Sequence, residues 1–293
     1  DEYSLFFSNL IIAGAIAVAL LAYPYFEKDK EQNEEFYILL MTATLGAVVL
    51  ACSNHFVAFL LGVEMLGVSL YAMIAYSVHM EKSAKFPLEA GIKYLILSAL
   101  TGAVTLFGIA LVYAYIGTME FDAIPAALEA AGDLGPVFVI GVLMIVAGAA
   151  FKLSLVPFHI WTPDVYEGAP VPVTAYLATV SKAAMLAVTL RLLLASNALE
   201  FNVVIVVLTV MAAASMIFGN LLALLQDNVK RLFAYSSIAH MGYLLVMIIA
   251  ASQIDGALSV EGVSFYMLAY FIMSLAGFAV ISAISNSEKE YDQ

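Results

Sequence analysis

A single cysteine, Cys52, in 293 residues leaves no partner for a disulfide, and no set of thiolates for zinc or an iron–sulfur cluster within this chain. Charge is scarce: Asp, Glu, Lys and Arg make up 12% of the residues, about half the share of an average globular chain. Eleven Lys and Arg stand against 23 Asp and Glu, a net charge of −12 with no basic stripe, which counts against nucleic acid as a partner. Neither a G-x-G-x-x-G nor a G-x-x-x-x-G-K-[ST] string occurs, so nothing points to a nucleotide site.

What is present is hydrocarbon. Hydrophobic residues make up 64% of the chain and mean hydropathy is +1.00. Apolar runs of about 18–25 residues recur throughout, against the roughly 20 helical residues needed to cross a bilayer core. Polar and apolar residues do not alternate, which argues against a β-barrel. The fold class expected is therefore all-α and polytopic, a membrane protein of about nine transmembrane helices. The spans are read at residues 4–23, 36–51, 55–78, 89–116, 136–158, 171–195, 201–223, 229–251 and 258–284. A short helix over Phe121–Ala131 is read as interfacial. The chain opens on Asp1 and closes on a polar run from Ser285, so both ends are expected to be cuts in a longer protein.

Alternating the nine spans gathers Lys28, Lys30, Lys82, Lys85, Lys230, Arg231 and Lys289 on one side. The other side holds Glu120, Asp122, Glu129, Asp133, Glu200, Asp255 and Glu261, with no Lys or Arg in a loop. The basic side is expected to be cytoplasmic, with the N-terminus outside. Arg191 can snorkel from the last turn of its span.

The remaining charges fall inside spans: Glu64, Lys93, Lys152 and Lys182. Each charge at a helix centre costs roughly 2.5–3.5 kcal/mol on insertion scales. Glu64 reads as a functional acid or as a helix–helix hydrogen bond. Lys182 reads as a relay or as the structural partner of Glu64. Lys93 follows Glu89 by four residues, the favoured order for a helical ion pair, and reads equally as a membrane-edge anchor. Lys152 precedes Pro157 in a stretch holding four of the eight prolines, Pro157, Pro163, Pro170 and Pro172. A helix interrupted at membrane depth frees backbone dipoles suited to handling ions. The rival reading is a proline kink beside an incidental lysine. His159, after the break, and His240, within the eighth span, can each donate and accept a proton or simply satisfy a buried hydrogen bond. Desolvation draws lysine and glutamate pKa values toward neutrality, so buried groups of this kind can exchange protons through water. Moving one charge across 100 mV needs about 2.3 kcal/mol. Without a nucleotide or redox site in the chain, a driving partner is implied.

The string F-K-L-S-L-V-P-F-H-I-W-T-P-D-V-Y-E-G-A-P-V-P-V at residues 151–173 resembles the antiporter-like membrane subunits of respiratory complex I, NADH–quinone oxidoreductase, and among them the subunit N (subunit 2) branch. So do E-M-L-G at Glu64, E-A-G-I-K-Y ending at Tyr94, the S-K of Lys182, and N-V-K-R-L-F-A-Y-S-S-I-A-H-M-G-Y at 228–243. The resemblance implies a single membrane domain built on two inverted five-helix repeats, each with a broken helix and a proton half-channel. Residues 1–35 would be a leading span and loop, 36–195 the first repeat, and 196–293 a truncated second repeat. It implies Glu64 and Lys152 as a coupled acid–base pair, Lys182 as the central relay, His240 as the link onward and Lys93 in the same channel. The second broken helix of the family, with its lysine, would lie beyond Gln293. It also implies no cofactor in this chain. NAD, FMN, iron–sulfur clusters and quinone would sit in partner subunits, beside other antiporter-like membrane subunits in a bacterial inner membrane. Two rivals stand: a cation/proton antiporter subunit of the multi-subunit sodium-pumping type, and a non-conducting membrane scaffold.

Overall fold

The computed structural model describes residues 1–26, 33–76, 85–132, 135–252 and 256–285. The loop lysines Lys28, Lys30, Lys82 and Lys289, and the acids Asp133 and Asp255, lie outside these, as does the side chain of Lys85. Among the described residues nine helices are long and apolar enough to span a bilayer. They are α1 (Glu2–Phe26), α2 (Glu34–Ala51), α3 (Phe56–Ile74), α4 (Lys85–Ile116), α6 (Pro136–Leu153), the continuous span Val171–Ala195, α10 (Asn202–Ala223), α11 (Val229–Ala250) and α12 (Gly256–Ile284). The span Val171–Ala195 comprises α8 (Val171–Tyr176), a π-helical turn at Leu177–Ser181 and α9 (Lys182–Ala195). Two short helices complete the set, α5 (Ile124–Ala131) and α7 (Trp161–Gly168). The one β-type pairing among the described residues is an isolated bridge between His55 and Glu120. The chain is an all-α, multi-pass membrane protein.

The hydrophobic runs set where these helices lie, to within a few residues, with one instructive difference. The fifth span was expected to reach residue 158, kinked by Pro157. It ends at Leu153, because Ser154 adopts a left-handed conformation with φ of 63° and caps the helix. Pro157 therefore sits in the turn beyond the helix and does not bend it. Trp161 ties the turn down by donating its indole N–H to the Phe151 carbonyl (3.0 Å), and the Val156 amide donates to Ser215 Oγ on α10 (2.9 Å). Backbone groups freed by the break thus find partners inside protein, the condition for irregular chain at membrane depth.

The span Val171–Ala195 is the axle of the bundle: α1, α2, α3, α6 and α12 all pack on parts of it, and its residues are nearly all buried. Around it, α4 and α6 touch backbone to backbone. A Cβ on Gly108 would lie 2.7 Å from the Gly141 carbonyl, and one on Gly141 would lie 2.8 Å from the Gly108 carbonyl. Without a hydrophobic drive between helices in lipid, such small-residue contacts supply the packing.

Candidate functional site

Lys152 lies in the last turn of α6, 7% exposed, and reaches back toward α4. Its ammonium donates to Ser98 Oγ (2.8 Å) and to the Tyr94 hydroxyl (3.3 Å), and stands 5.1 Å from the centre of the Tyr94 ring. Tyr71 of α3 donates to the same Ser98 oxygen (2.9 Å). The ammonium fits close to α3 because residue 67 is glycine: a Cβ there would lie 3.5 Å from Lys152 Nζ and 3.1 Å from the Tyr71 hydroxyl.

Glu64 is placed otherwise than expected. It was read as a buried acid, yet in this chain its side chain is exposed on the flank of α3, beside Gly102 of α4. The buried stripe of α3 runs through Phe59, Gly62, Leu66, Leu70 and Met73, and Glu64 falls off it. The carboxylate is within electrostatic reach of Lys152 and Tyr71. No ion pair joins it to Lys152 among the described residues, and the alternative of a Glu64–Lys182 pair is not formed either.

Lys182 is the twelfth residue of its span, 1% exposed, directly after the π-helical turn. Its ammonium donates to Ser237 Oγ of α11 (2.9 Å), and the Ser237 hydroxyl donates in turn to the Ala234 carbonyl (2.7 Å). Three residues on from Ser237, His240 Nδ1 is 2.7 Å from the Tyr266 hydroxyl of α12, with the Tyr270 ring at 5.2 Å. His240 and Lys182 lie within electrostatic reach of each other. Tyr270 in turn donates to the Ala178 carbonyl in the π-helical turn (3.0 Å). Four of the six candidates thus fall into two centres, Glu64 with Lys152 and Lys182 with His240.

The other two stand apart from these centres. Lys93 is 41% exposed at its side chain and makes the expected helical pair with Glu89 (2.7 Å). It also pairs with Asp164 of α7 (2.8 Å), whose other oxygen binds Arg231 of α11 (2.9 Å). Arg231 closes the chain on Glu167 (2.8 Å). A cavity of about 120 Å³ opens between Glu89, Lys93, Asp164 and Glu167. This network clamps α7 between α4 and α11. His159 is half-buried after the break, and its Nδ1 has no protein partner. Arg191 at the far end of its span bonds Asp1 (3.1 Å) and Ser4 (2.8 Å) and lies 4.9 Å from the Tyr3 ring.

One charged residue of the interior escaped the sequence reading. Lys230 is expected at a helix start among the basic charges of the cytoplasmic side, but it is fully buried and donates to the Ala169 carbonyl at the end of α7 (2.7 Å). The available signal was its place on the stripe Lys230, Ala234, Ser237, Ile238 and Met241, at helical spacing. Among the described residues no group of His, Cys, Asp or Glu is disposed to hold a metal.

NADH-quinone oxidoreductase subunit N from Methylococcus capsulatus is 49% identical over 100% of this chain, which covers 58% of that relative. A structure of respiratory complex I from Thermus thermophilus with bound aureothin contains a chain 34% identical, with TM-score 0.79, matched over 99% of this chain and 59% of its own. A chain in the Mrp complex from Dietzia sp. DQ12-45-1b shares the fold at TM-score 0.80 and 20% identity, over 95% of this chain and 51% of its own. The chain therefore spans between half and three fifths of the length of these relatives. The family of NADH:quinone oxidoreductase and Mrp antiporter transmembrane proteins matches residues 53–293, and the chain belongs to that family.

Proposed function

We propose that this chain is part of a proton-translocating membrane subunit N of an NADH:quinone oxidoreductase, moving protons through buried lysines while quinone is reduced elsewhere in the complex. The observation that carries the reading is the state of Lys152 and Lys182. Both are buried, and each ammonium donates to hydroxyl groups while no carboxylate stands within ion-pair distance of it among the described residues. A buried ammonium is expensive, and a structural lysine would carry a fixed countercharge. Without one, the proton is held by groups that can also pass it on.

In this reading Glu64 modulates Lys152 across α3 and α4, Lys182 is the central relay, and His240 with Tyr266 leads onward. Lys93 and His159 flank the break, Lys93 as an anchor of α7. Residues 36–195 would form the first repeat of an inverted pair. NAD, FMN, iron–sulfur clusters and quinone would be bound by partner subunits, and the remaining antiporter-like subunits would be neighbours in a bacterial inner membrane with the basic loops cytoplasmic.

The test is Lys152→Met and Lys182→Met in the full-length subunit of the assembled complex. NADH-driven proton uptake into inverted vesicles and quinone-reductase turnover should both fall by at least about tenfold, a change of about 1.4 kcal/mol in barrier. Normal pumping in either variant would defeat the assignment of that lysine. Purification separates the sodium-pumping antiporter reading: flavin and iron–sulfur subunits that co-isolate with the protein support the oxidoreductase, and their absence supports the antiporter.

A further inference from the structure

Five buried side-chain polar atoms among the described residues have no hydrogen-bond partner, and four of them fall within the broken segment: Ser154 Oγ, His159 Nδ1, Thr162 Oγ1 and the Tyr166 hydroxyl. Each such orphan forfeits about 1–3 kcal/mol, so native interiors hold few of them.

Thr162 and Tyr166 are one helical turn apart on α7 and share a face, and both are wholly buried. Tyr166 has the more telling position. Its hydroxyl is within electrostatic reach of Tyr94 on one side and of Tyr270 on the other, where Ser237 is near enough to act on it as a hydrogen-bonding group, though in a geometry short of a full bond. Tyr94 is a partner of Lys152, and Ser237 is the partner of Lys182. The ring packs edge-on against Phe278, with centres 6.4 Å apart, a contact phenylalanine would make equally well. For packing alone the hydroxyl is a liability.

We propose that Tyr166 is the bridging hydroxyl between the Lys152 and Lys182 centres, carrying protons from one to the other along the α7 face it shares with Thr162. The idea rests on the lysine-relay reading above. In each transfer the phenol oxygen forms an O–H bond on its donor side as its original O–H bond breaks toward the acceptor side. One proton arrives and one leaves, with no oxidation and no lasting charge on the ring. Rotation about the C–O bond resets the group.

The experiment uses the assembled complex with full-length subunits. Tyr166→Phe should assemble with unchanged subunit content and thermal stability, yet lose at least about tenfold in proton pumping, the scale of a lost proton-transfer group. The solvent deuterium isotope effect on turnover should rise alongside. Normal pumping in Tyr166→Phe, while Lys152→Met and Lys182→Met are impaired, overturns the bridge and leaves the relay reading standing. Normal pumping in the lysine variants overturns the relay reading itself. Should Tyr166→Phe fail to assemble, 3,5-difluorotyrosine at position 166 decides. It keeps the ring and hydroxyl but gives up its proton more readily, so the pH profile of pumping should move to lower pH. An unmoved profile overturns the bridge.

Discussion

Replacing Asp164 by Asn tests whether the ion network holds the broken segment in place. Asp164 is outside the spanning helices and accepts from Lys93 (2.8 Å) and Arg231 (2.9 Å), joining α4 and α11 through α7. Burial raises its pKa, but the hydrogen bonds from Lys93 and Arg231 outweigh burial and hold the carboxyl below its ordinary value. The side chains are 36%, 41% and 26% exposed, so each pair is discounted toward the half-exposed range of about 0.2–1 kcal/mol. Asparagine keeps the shape, Lys93 keeps Glu89 and Arg231 keeps Glu167. The net loss should therefore be about 1 kcal/mol, or a fall of about 2–4 °C in thermal midpoint on the scale of chains this size. A folded pKa below the unfolded one means stability that is present above the unfolded value, near 4, and is lost as pH falls through the folded value. The gap between wild type and Asp164→Asn should accordingly stay level from pH 8 to about pH 5 and close below about pH 4. It should also shrink in 1 M salt, where the screening length is about 3 Å. The assay is thermal inactivation of quinone-reductase activity in membranes at several pH values and salt concentrations. A gap that is absent, or that ignores both pH and salt, would refute the clamp.

Further outcomes follow from single contacts. Lys152→Met should leave thermal stability level or raise it slightly while pumping fails, because losing a buried charge offsets its two hydroxyl bonds; parallel thermal and pumping measurements check this. Gly108→Leu should separate α4 from α6 and cost about 1–3 kcal/mol, read as loss of subunit from purified complex. Lys230→Met should leave the Ala169 carbonyl short of a charged donor, a loss of about 1.5–3 kcal/mol measurable as a lower thermal midpoint. Trp161→Phe removes the bond to the Phe151 carbonyl and should raise hydrogen exchange at residues 154–161 above the rest of the bundle.

Span positions were legible because a bilayer demands long apolar runs, and Lys152 and Lys182 were legible because charge inside such a run is an anomaly. Which way a residue faces was not legible. On a soluble helix polarity marks the outer face, but in lipid both faces are apolar, so nothing told that Glu64 of α3 would sit off the buried stripe. Lys230 was hidden by its neighbour: beside Arg231 at a helix start, it looked like ordinary membrane-edge charge. The ion network also exceeded the reading. The Glu89–Lys93 pair follows from spacing of four, whereas the bond from Lys93 to Asp164, 71 residues away, depends on where the broken segment folds back. The orphaned hydroxyl of Tyr166 has no signature in a linear string at all.

The glycine pair at 108 and 141 constrains how such a protein could move. Two backbones already in contact cannot come closer at that crossing, and α4 and α6 pack along much of their length as one pair. Tyr94, Ser98 and Lys152 all ride on that pair and travel together. On the relay reading proposed above, whatever opens and closes the route of a proton must therefore bend elsewhere, at the π-helical turn ahead of Lys182 or in the broken segment after Lys152.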